Sequence, residues 1–472
     1  MLEMNFAGDA DVEAIGEGCL EVLERVGMVF QNKEILDAIE AWGARADRAT
    51  NVVTFPRKQL RAFVEGIRAE APAPATSVSF RAAGLPGVGG SVAQFLYDDA
   101  KGEARPGRRE DLVAAVKLGS ALHPEAPVGH ALLLSDVPPL MEPLEAALIM
   151  AEHAPSPAAP FAWDVRQIPY LEEMGHLLGL ERWYSLGAVC MAHPLRFDKN
   201  VADRYVHMIR QQEQPAGLTS MPVPGVSAPI TLEGFLVVTG AEYLASWVVG
   251  RALNPKVALG GSMWTGTSDM KIGHVSYSAF DAMRYSLATY SFLHRWCGVT
   301  VSVGGGEYCA SRVPGYYAAL EKVHKALLIA AFTGSHPCIG QGMLDNGKVL
   351  SFAQLLLERD YQVGANQPAR AVQATPENMA LEEIVQVGPG LAGGHLGTEH
   401  TAHHLRESLW LPAFAPRDGW TGGDDEARTL ARCREKAGRL ILQAAIPEGR
   451  EDALAGMRTI AARAREELLD SA

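Results

Sequence analysis

Aromatic and methionine side chains stand where short apolar runs of this sequence give way to loops. Trp163, Met191, Met263, Trp264 and Tyr308 all lie at such junctions, in loops with few charges. Aromatic faces attract cations, by roughly 0.5–2 kcal/mol for each ring. Together these loops are typical of a pocket for a methylated ammonium group, although each Trp or Met taken alone is explained as well by core packing.

The same loops lack the motifs of several common enzyme classes. They contain no Walker-type phosphate loop, no dinucleotide fingerprint, no H-x-x-x-H metal pair and no G-x-S-x-G nucleophile motif. The triple glycine Gly304–Gly306 offers an open stretch of backbone and is a weak signal by itself. We therefore expect no metal ligand and no nucleotide clamp in these loops.

The most distinctive loop reads M-P-V-P-G-V-S-A-P-I-T over residues 221–231 and leads into an apolar helix. Its three prolines restrict the backbone, and Gly225 permits a positive φ. Thr231 fits a helix N-cap, with Glu233 in the first turn. The spacing predicts a rigid loop, which structural needs alone could explain.

The net charge and the cysteine residues limit which binding partners and which cellular compartment are expected. The net charge is −13, from 42 basic and 55 acidic residues, which argues against a nucleic-acid partner or an anionic membrane surface. An acidic surface weakly favours a cationic substrate, and solubility is a simpler reason for it. The six cysteines are scattered without a C-x-x-C pair, and no signal peptide or membrane span is expected. These features predict a reduced, cytoplasmic protein.

The elements that must position these loops repeat along the chain. A short apolar run, a loop and an amphipathic helix recur seven times, and a weak eighth strand candidate falls within Val385–Leu396. The apolar runs are Val128–Leu134, Pro160–Asp164, Ser185–Met191, Gly217–Met221, Val257–Ser262, Thr300–Gly304 and Cys338–Met343. The helices are expected near Pro139–Glu152, Pro169–Leu178, Asp198–Gln212, Leu232–Val249, Ser276–Trp296, Gly315–Phe332 and Ser351–Tyr361.

This alternation predicts parallel strands that are buried on both faces. Seven to eight units favour an α/β fold of the (β/α)8 TIM-barrel type, with the active site at the carboxyl ends of the strands. Residues 1–107 are expected to form a helical N-terminal region with a hairpin excursion that uses Ser77–Phe80 and Val92–Tyr97. Residues 108–420 would form the barrel. Residues 421–472 would form two helices, Asp424–Ala444 and Pro447–Leu469, on its outside or at a dimer surface, and a homo-oligomer is expected.

The loop at 221–231 also carries a resemblance. The pattern P-G-x-S-A-P-I-T, followed by A-E at 241–242, resembles a signature of the trimethylamine methyltransferase (MttB) family. Other stretches agree in the same order, so the resemblance covers nearly the whole chain. They are V-L-E-R-V-G-M at 22–28, A-W-G-A-R-A-D at 41–47, D-V-P-P at 136–139, H-P-L at 193–195 and E-H-T-A-H-H-L-R-E-S-L-W-L-P at 399–412.

The resemblance implies a (β/α) barrel that moves a methyl group from an amine to the Co(I) corrinoid of a small partner protein, with no corrinoid held tightly by this chain. Trimethylamine-specific members use pyrrolysine, which would fall in residues 304–315, yet this sequence has only the twenty standard residues. The chain is thus similar to the glycine betaine branch, and we expect a betaine-like quaternary amine. A quaternary amine leaves as a neutral product without a general acid, so that desolvation and alignment become the main tasks.

From this resemblance we expect the following roles for residues at the strand ends. Trp163 and Trp264 would form aromatic walls, and Glu307, with Tyr308 beside it, would supply the catalytic counter-charge. Arg312 could pair with a substrate carboxylate, or Glu307 and Arg312 could bridge each other at the rim. The other expected substrate contacts are His193, Gly225, Ser227, Gly305 and Gln341.

His395 and His400 belong to a histidine-bearing tract at 393–404, which is expected to form a long loop near the mouth of the barrel. They would contact the corrinoid or its partner, or else form ordinary surface.

Two departures from the family pattern keep alternatives open. H-P-L replaces the usual S-P-L at 193–195, and E-Y-C-A-S-R after the triple glycine lacks the Asp-Ser/Ala-Lys type of run. The amine is therefore open, and tetrahydrofolate could be the acceptor. A zinc-dependent thiol methyltransferase is one alternative, with Cys309, Cys338, His336 and His193 as conceivable ligands. A non-catalytic quaternary-amine binding protein is another.

Overall fold

The computed structural model describes residues 7–71, 80–211, 215–304, 307–389 and 393–469. Gly305 and most of the predicted strand Ser77–Phe80 lie outside the described residues. Within these ranges the fold is mixed α/β, with long helices and short strands. The division at residues 107 and 420 stays a prediction.

The N-terminal region is helical, as the periodicity predicts. Its elements are α1 (Asp9–Arg25), β1 (Met28–Phe30), α2 (Lys33–Trp42), β2 (Arg45–Asp47), β3 (Val52–Thr54) and α3 (Arg57–Glu70). Asn32 accepts a hydrogen bond from the Ile35 N–H and caps α2, and Gly43 ends that helix with φ 108°. The apolar faces of the three helices enter the main core.

A hairpin follows, and it uses part of the predicted run Val92–Tyr97 together with a second strand that the sequence did not predict. It joins β4 (Phe95–Asp98) to β5 (Glu103–Pro106) in antiparallel pairing. Beyond it come four helices: α4 (Arg109–Leu122), α5 (Glu142–His153), α6 (Ile168–Leu177) and, after the short β6 (Arg196–Phe197), α7 (Lys199–Gln211). β6 pairs in parallel with β1, so the sheet order is β2–β3–β1–β6.

The remaining repeat units also contain their predicted helices. The elements are β7 (Thr219–Ser220), α8 (Leu232–Leu253), β8 (Ser262–Met263), β9 (Thr267–Asp269), β10 (His274–Ser276), α9 (Phe280–Cys297), β11 (Ser302–Val303), α10 (Tyr316–Thr333), β12 (Met343–Leu344), β13 (Val349–Leu350) and α11 (Phe352–Ala365). All seven helices of the predicted repeat are found within a few residues of their expected bounds.

Successive apolar runs pair in parallel and in chain order. Single bridges join Ala93 to Leu132, Val128 to Pro157, Phe161 to Ser185 and Cys190 to Thr219. The ladder continues from β7 through β8 to β11, and on the other side β13 pairs in parallel with β4. Among the described residues no pairing joins β11 to the β12–β13 hairpin, so a closed barrel is not established. The eighth strand predicted within Val385–Leu396 is not found among the described residues: Val385–Val387 belong to a helix, and residues 390–392 lie outside the described ranges.

The C-terminal part consists of helices. They are α12 (Pro376–Met379), α13 (Leu381–Val387), α14 (Glu399–Ser408), α15 (Gly423–Gln443) and α16 (Glu451–Leu469). The two last helices agree with the sequence prediction. α15 packs against α4 and α11, and α16 packs against α5 and α6.

One described helix, α8, is long and apolar enough to cross a membrane by length and composition. It has 22 residues, and 78% of its most apolar window is buried inside the protein. Its neighbours are α1, α2, α7 and α9. A helix that is apolar on all sides belongs in the middle of a protein core, and α8 lies there.

Candidate functional site

An aromatic corner forms just beyond β8 and β11. Trp264 is held by two hydrogen bonds: its backbone N–H donates to the Ser220 carbonyl at 2.8 Å, and its indole N–H donates to the Ser262 hydroxyl at 2.6 Å. The Tyr308 ring meets Trp264 edge-on at 4.7 Å, and the Tyr277 ring meets Tyr308 at 5.7 Å. Three rings from three different loops therefore share one corner, in the edge-on arrangement that aromatic pairs prefer.

Two glycines make this packing possible. A Cβ on Gly304 would lie 2.3 Å from the Trp264 ring, and a Cβ on Gly347 would lie 2.1 Å from the Tyr308 ring. Gly347 also has φ +83°, a conformation that disfavours other residues. Gly304, which follows the last residue of β11, therefore leaves room for the Trp264 indole. In the described residues the role of this glycine is steric.

Buried charges lie directly behind the corner. The Oε2 atom of Glu307 is inaccessible to solvent and has no hydrogen-bond partner among the described residues. Burial raises the pKa of Glu307, while Lys325 and Lys322 act in the opposite direction. Burial also lowers the pKa of Lys325 to about 8, against an upward effect of Glu307. Carboxylate and amine therefore influence each other inside the protein.

Lys325 connects the charges to the rings. Its Nζ donates to the Tyr308 carbonyl oxygen at 3.2 Å and lies 5.9 Å from the centre of the Tyr308 ring. One turn earlier on α10, Lys322 forms a fully buried ion pair with Glu358. Glu358 in turn accepts from the Gly342 N–H at 3.2 Å. Helix α10 thus carries two lysines into the interior.

Arg312 and Gln341 occupy different surroundings. The Arg312 side chain is 68% exposed, lies 3.9 Å from Asp345 and contacts the His274 ring nitrogen at 3.1 Å. The alternative in which Glu307 and Arg312 bridge each other is not found in the structure. Gln341 is buried, its amide donates to the Gly87 carbonyl at 3.0 Å, and its Oε1 has no partner in the described part of the chain.

The loop at 221–231 is held by hydrogen bonds between its own residues. Gly225 has φ +78°, and its N–H donates to the Ala228 carbonyl at 2.8 Å. The Ser227 hydroxyl oxygen accepts from the Val223 N–H at 2.9 Å, and Thr231 caps α8. The turn touches the β9–β10 hairpin, because a Cβ on Gly225 would lie 3.0 Å from the end of Met270. Gly225 and Ser227 therefore shape the loop from within.

His193 is bonded to the protein through both ring nitrogens. Nδ1 lies 3.0 Å from the Glu242 carboxylate, and Nε2 accepts from the Met221 N–H at 2.9 Å. Glu242 also accepts from the Leu195 N–H at 2.8 Å and is fully buried. This network ties the loop after the 185–191 run to the start of the loop at 221–231. A substrate contact by His193 stays a prediction.

Trp163 belongs to a second cluster. Its indole N–H donates to Glu142 at 3.1 Å, and its ring stacks on Phe161 at 5.4 Å. His130, 2.9 Å from the same carboxylate, completes the group. None of the contacts described for Trp163 reaches Trp264.

Of the predicted site residues, the structure brings Trp264, Glu307 and Tyr308 into one cluster. His395 and His400 lie apart, near α13 and α14, where His395 Nδ1 is 2.8 Å from Glu383. The tract predicted as a loop is helical from Glu399 onward. The ligands suggested for a zinc thiol site do not form a group of three in the described residues.

Sequence reasoning missed Lys325 and Tyr277. Lys322 and Lys325 are spaced i, i+3 on an amphipathic helix, and such a pair usually marks a solvated face. No local signal distinguishes it from a buried pair. Tyr277 follows β10, and its position after a strand was a usable signal.

The chain resembles known proteins over most of its length. A family model described as trimethylamine methyltransferase (MTTB) matches residues 1–133 and 176–466. The stretch between, which holds Trp163 and the D-V-P-P motif, is not matched.

Three relatives show the range of similarity. The trimethylamine methyltransferase MttB of Desulfitobacterium hafniense is 23% identical over 415 residues, which cover 84% of this chain and 81% of that protein. A glycine betaine methyltransferase from the same species is 21% identical over 452 residues, or 91% of each chain. MttB of Methanosarcina barkeri is 29% identical over 206 residues, 43% of this chain and 40% of that protein. With the family match extending along both the N-terminal and the C-terminal parts, this chain belongs to the trimethylamine methyltransferase family.

Proposed function

We propose that this protein is a methyltransferase that takes a methyl group from a betaine-like quaternary amine and passes it to the Co(I) corrinoid of a partner protein. Support comes from the family, whose members compared above carry methyltransferase names that include a glycine betaine enzyme. The structural observation that carries the proposal is the unpaired, solvent-inaccessible Glu307 oxygen beside the Trp264–Tyr308 corner.

A buried carboxylate oxygen without a hydrogen-bond partner is costly, because it gives up the hydrogen bonds of water. A ligand that brings a positive charge without any N–H removes that cost by Coulomb attraction. The trimethylammonium group is such a ligand, and aromatic rings attract it as well. Glu307 and Tyr308 are therefore proposed as the catalytic pair, and Trp264 as the aromatic wall. Trp163, His193, Gly225, Ser227, Gly305, Arg312 and Gln341 remain proposed substrate contacts or supports.

Lys325 lies beside the charge that the substrate would meet. Burial lowers its pKa to about 8, so the protein environment disfavours the positive charge of Lys325 next to Glu307. The reaction breaks one N–CH₃ bond, and its electron pair stays on nitrogen, so the product amine is neutral and is no longer attracted by Glu307.

The acceptor would approach the face formed by the loop at 221–231 and the β9–β10 hairpin. Val226, Ile230, Met270 and Ile272 are all exposed there. Such an apolar face fits a flat macrocycle better than it fits a charged partner surface. When bound, a Co(I) corrinoid supplies the nucleophile for the methyl group. His395 and His400 are proposed contacts with the corrinoid or with the protein that carries it.

The parallel pairing in chain order supports a (β/α)8 barrel as the underlying fold, with residues 108–420 as the catalytic part and residues 421–472 as outer helices. We also propose a cytoplasmic location and a homo-oligomer. The acidic composition and the six free cysteines are compatible with that location.

The test is an assay of Co(I)alamin methylation with glycine betaine, carnitine, choline, proline betaine and trimethylamine. We expect demethylation of at least one carboxylated quaternary amine, seen as loss of the Co(I) absorbance and as the tertiary amine by mass spectrometry. Denatured protein is the control. Binding of the amines with no methyl loss in any of them would contradict the proposal and favour a binding protein. Transfer to tetrahydrofolate alone would keep the enzyme class and replace the acceptor.

A further inference from the structure

A histidine-rich patch lies on helix α14, away from the aromatic corner. His400, His403 and His404 are spaced i, i+3 and i+4, so they project from one face of the helix. The His404 ring centre is 4.4 Å from that of His400 and 4.9 Å from that of His403. Three imidazoles are thus gathered within one turn.

A carboxylate from a separate helix completes the group. Glu377 on α12 places Oε1 3.7 Å from the Nε2 atom of His404. One ligand atom each from Glu377, His403 and His404 fall within 4.8 Å of one another. In a tetrahedral zinc site, with metal–nitrogen distances of about 2.0–2.1 Å, ligand atoms lie roughly 3.3 Å apart. Glu377 is 70% exposed, which leaves its side chain room to rotate toward the two rings.

A second observation also points to a ligand. The Nε2 atom of His400 is inaccessible to solvent and has no hydrogen-bond partner in the described residues. The surrounding groove is acidic, with Glu382, Glu383 and Glu399 in its lining. His395 differs from the other histidines, because its Nδ1 already contacts Glu383 at 2.8 Å.

The patch also lies between short helices that have little support from the protein core. α12 has four residues and α13 has seven, and α12, α13 and α14 contain no buried residue over their described lengths. Helices this short are unstable alone in water. A metal ion held by Glu377 from α12 and by histidines from α14 would tie the two helices together, and its binding energy would add to the folding of this arm.

We infer that Glu377, His403 and His404 bind one Zn²⁺ ion. Imidazole and carboxylate ligands suit Zn²⁺, and Ni²⁺ and Cu²⁺ would also bind in vitro. The site is structural. It is distinct from the methyl-transfer site, and its occupancy can be measured without any turnover.

The experiment uses the full chain, stripped with a chelator, dialysed and titrated with Zn²⁺ against a chromophoric competitor. We expect one equivalent of Zn²⁺ to bind, and the double variant His403→Ala/His404→Ala to bind it about 100-fold more weakly or not at all. His395→Ala is the matched control and should keep the wild-type affinity. Cys309→Ser/Cys338→Ser should keep it too, because no thiol takes part.

A second readout follows the arm itself. Zn²⁺ should slow proteolysis between residues 370 and 412 in the wild type and leave the double variant unchanged, with both proteins folded by circular dichroism. Three results would overturn the inference: no stoichiometric zinc in the wild type, equal affinity in the double variant, or loss of zinc in the cysteine variant.

Discussion

Two buried carboxylates near the strand ends, Glu242 and Glu307, have opposite surroundings. Glu242 receives the His193 ring and the Leu195 N–H, and His193 in turn accepts from the Met221 N–H. Glu307 stands beside aromatic rings with one oxygen that no described group satisfies. Glu242 lies in the middle of helix α8, whereas Glu307 lies in the loop after β11. Of these two residues, only Glu307 keeps a carboxylate oxygen without a hydrogen-bond partner in the described part of the chain.

The two carboxylates are therefore expected to have different roles: Glu242 holds the loops in place, and Glu307 is available to a ligand. Buried polar groups in native proteins are almost always paired, and a paired network fixes geometry. The His193–Glu242 pair therefore fastens two loops together. A buried carboxylate oxygen without a partner can still form a favourable interaction, and an incoming cation can supply it. We therefore expect changes to the first pair to affect stability, and changes to Glu307 to affect substrate binding and turnover.

The largest effect is expected from His193→Ala. It removes the imidazole partner of a fully buried carboxylate and should lower the free energy of unfolding by about 3–5 kcal/mol. Urea denaturation followed by circular dichroism measures this. Arg25→Ala, which breaks the exposed pair with Glu21, is the control and should change stability by less than about 1 kcal/mol. If His193→Ala lowered the free energy of unfolding by as little as Arg25→Ala does, Glu242 would not depend on its partner, and the proposed difference from Glu307 would be wrong.

Next in size is the effect of Glu307→Gln on activity. One charge about 5 Å from a cation contributes roughly 3 kcal/mol at an effective dielectric constant of about 20. We expect kcat/KM for the quaternary amine to fall about 100-fold. The unfolding free energy should not fall, since the amide needs less solvation than the carboxylate. Equal activity in this variant, or a stability loss as large as that of His193→Ala, would contradict the assignment.

The pH dependence of stability tests the same distinction in another way. Burial raises the pKa of Glu307, so the folded protein holds this proton more tightly than the unfolded chain does. Below the unfolded-state pKa of about 4.5, the contribution of Glu307 to the free energy of unfolding is complete. This contribution is lost as the pH rises to the raised pKa of the folded state. The loss is about 1.4 kcal/mol for each tenfold difference in proton affinity between the two states. Glu307→Gln should match the wild type in acid and exceed its stability above this window. Parallel stability curves for the two proteins would argue that Glu307 is already paired.

The smallest effect is expected from Arg312→Ala. The side chain is mostly exposed, and pairs of this kind contribute less than about 1 kcal/mol. If Arg312 meets the substrate carboxylate, KM for glycine betaine should rise a few-fold while KM for choline, which has no carboxylate, stays constant. An equal change for both amines would place Arg312 outside the substrate contacts.

Much of the fold could be predicted from local patterns. The periodicity of the chain predicts the helices of the repeat, including α8 from Leu232 with Thr231 as its cap. Prolines and Gly225 predict the rigid loop before it. The reason is that helices, caps and turns are made by hydrogen bonds between residues close in sequence. The first residues of the candidate eighth strand form a helix instead, because a short apolar run fits a strand and a helix equally well.

The site was only partly predictable. Its aromatic residues could be anticipated, since Trp264 and Tyr308 follow apolar runs. The sequence could not tell that Arg312 points outward to Asp345, that His193 is occupied by Glu242, or that Lys325 lies buried beside Glu307.

Local patterns in this chain specify which segments become helices, where they are capped and which loops are stiff. Long-range packing, in contrast, sets which charges are paired. Whether a charged side chain has a partner depends on groups far away in sequence or on a different helix, as with Lys322 and Glu358. The burial that shifts a pKa comes from all the elements packed around the group, and no local pattern encodes it.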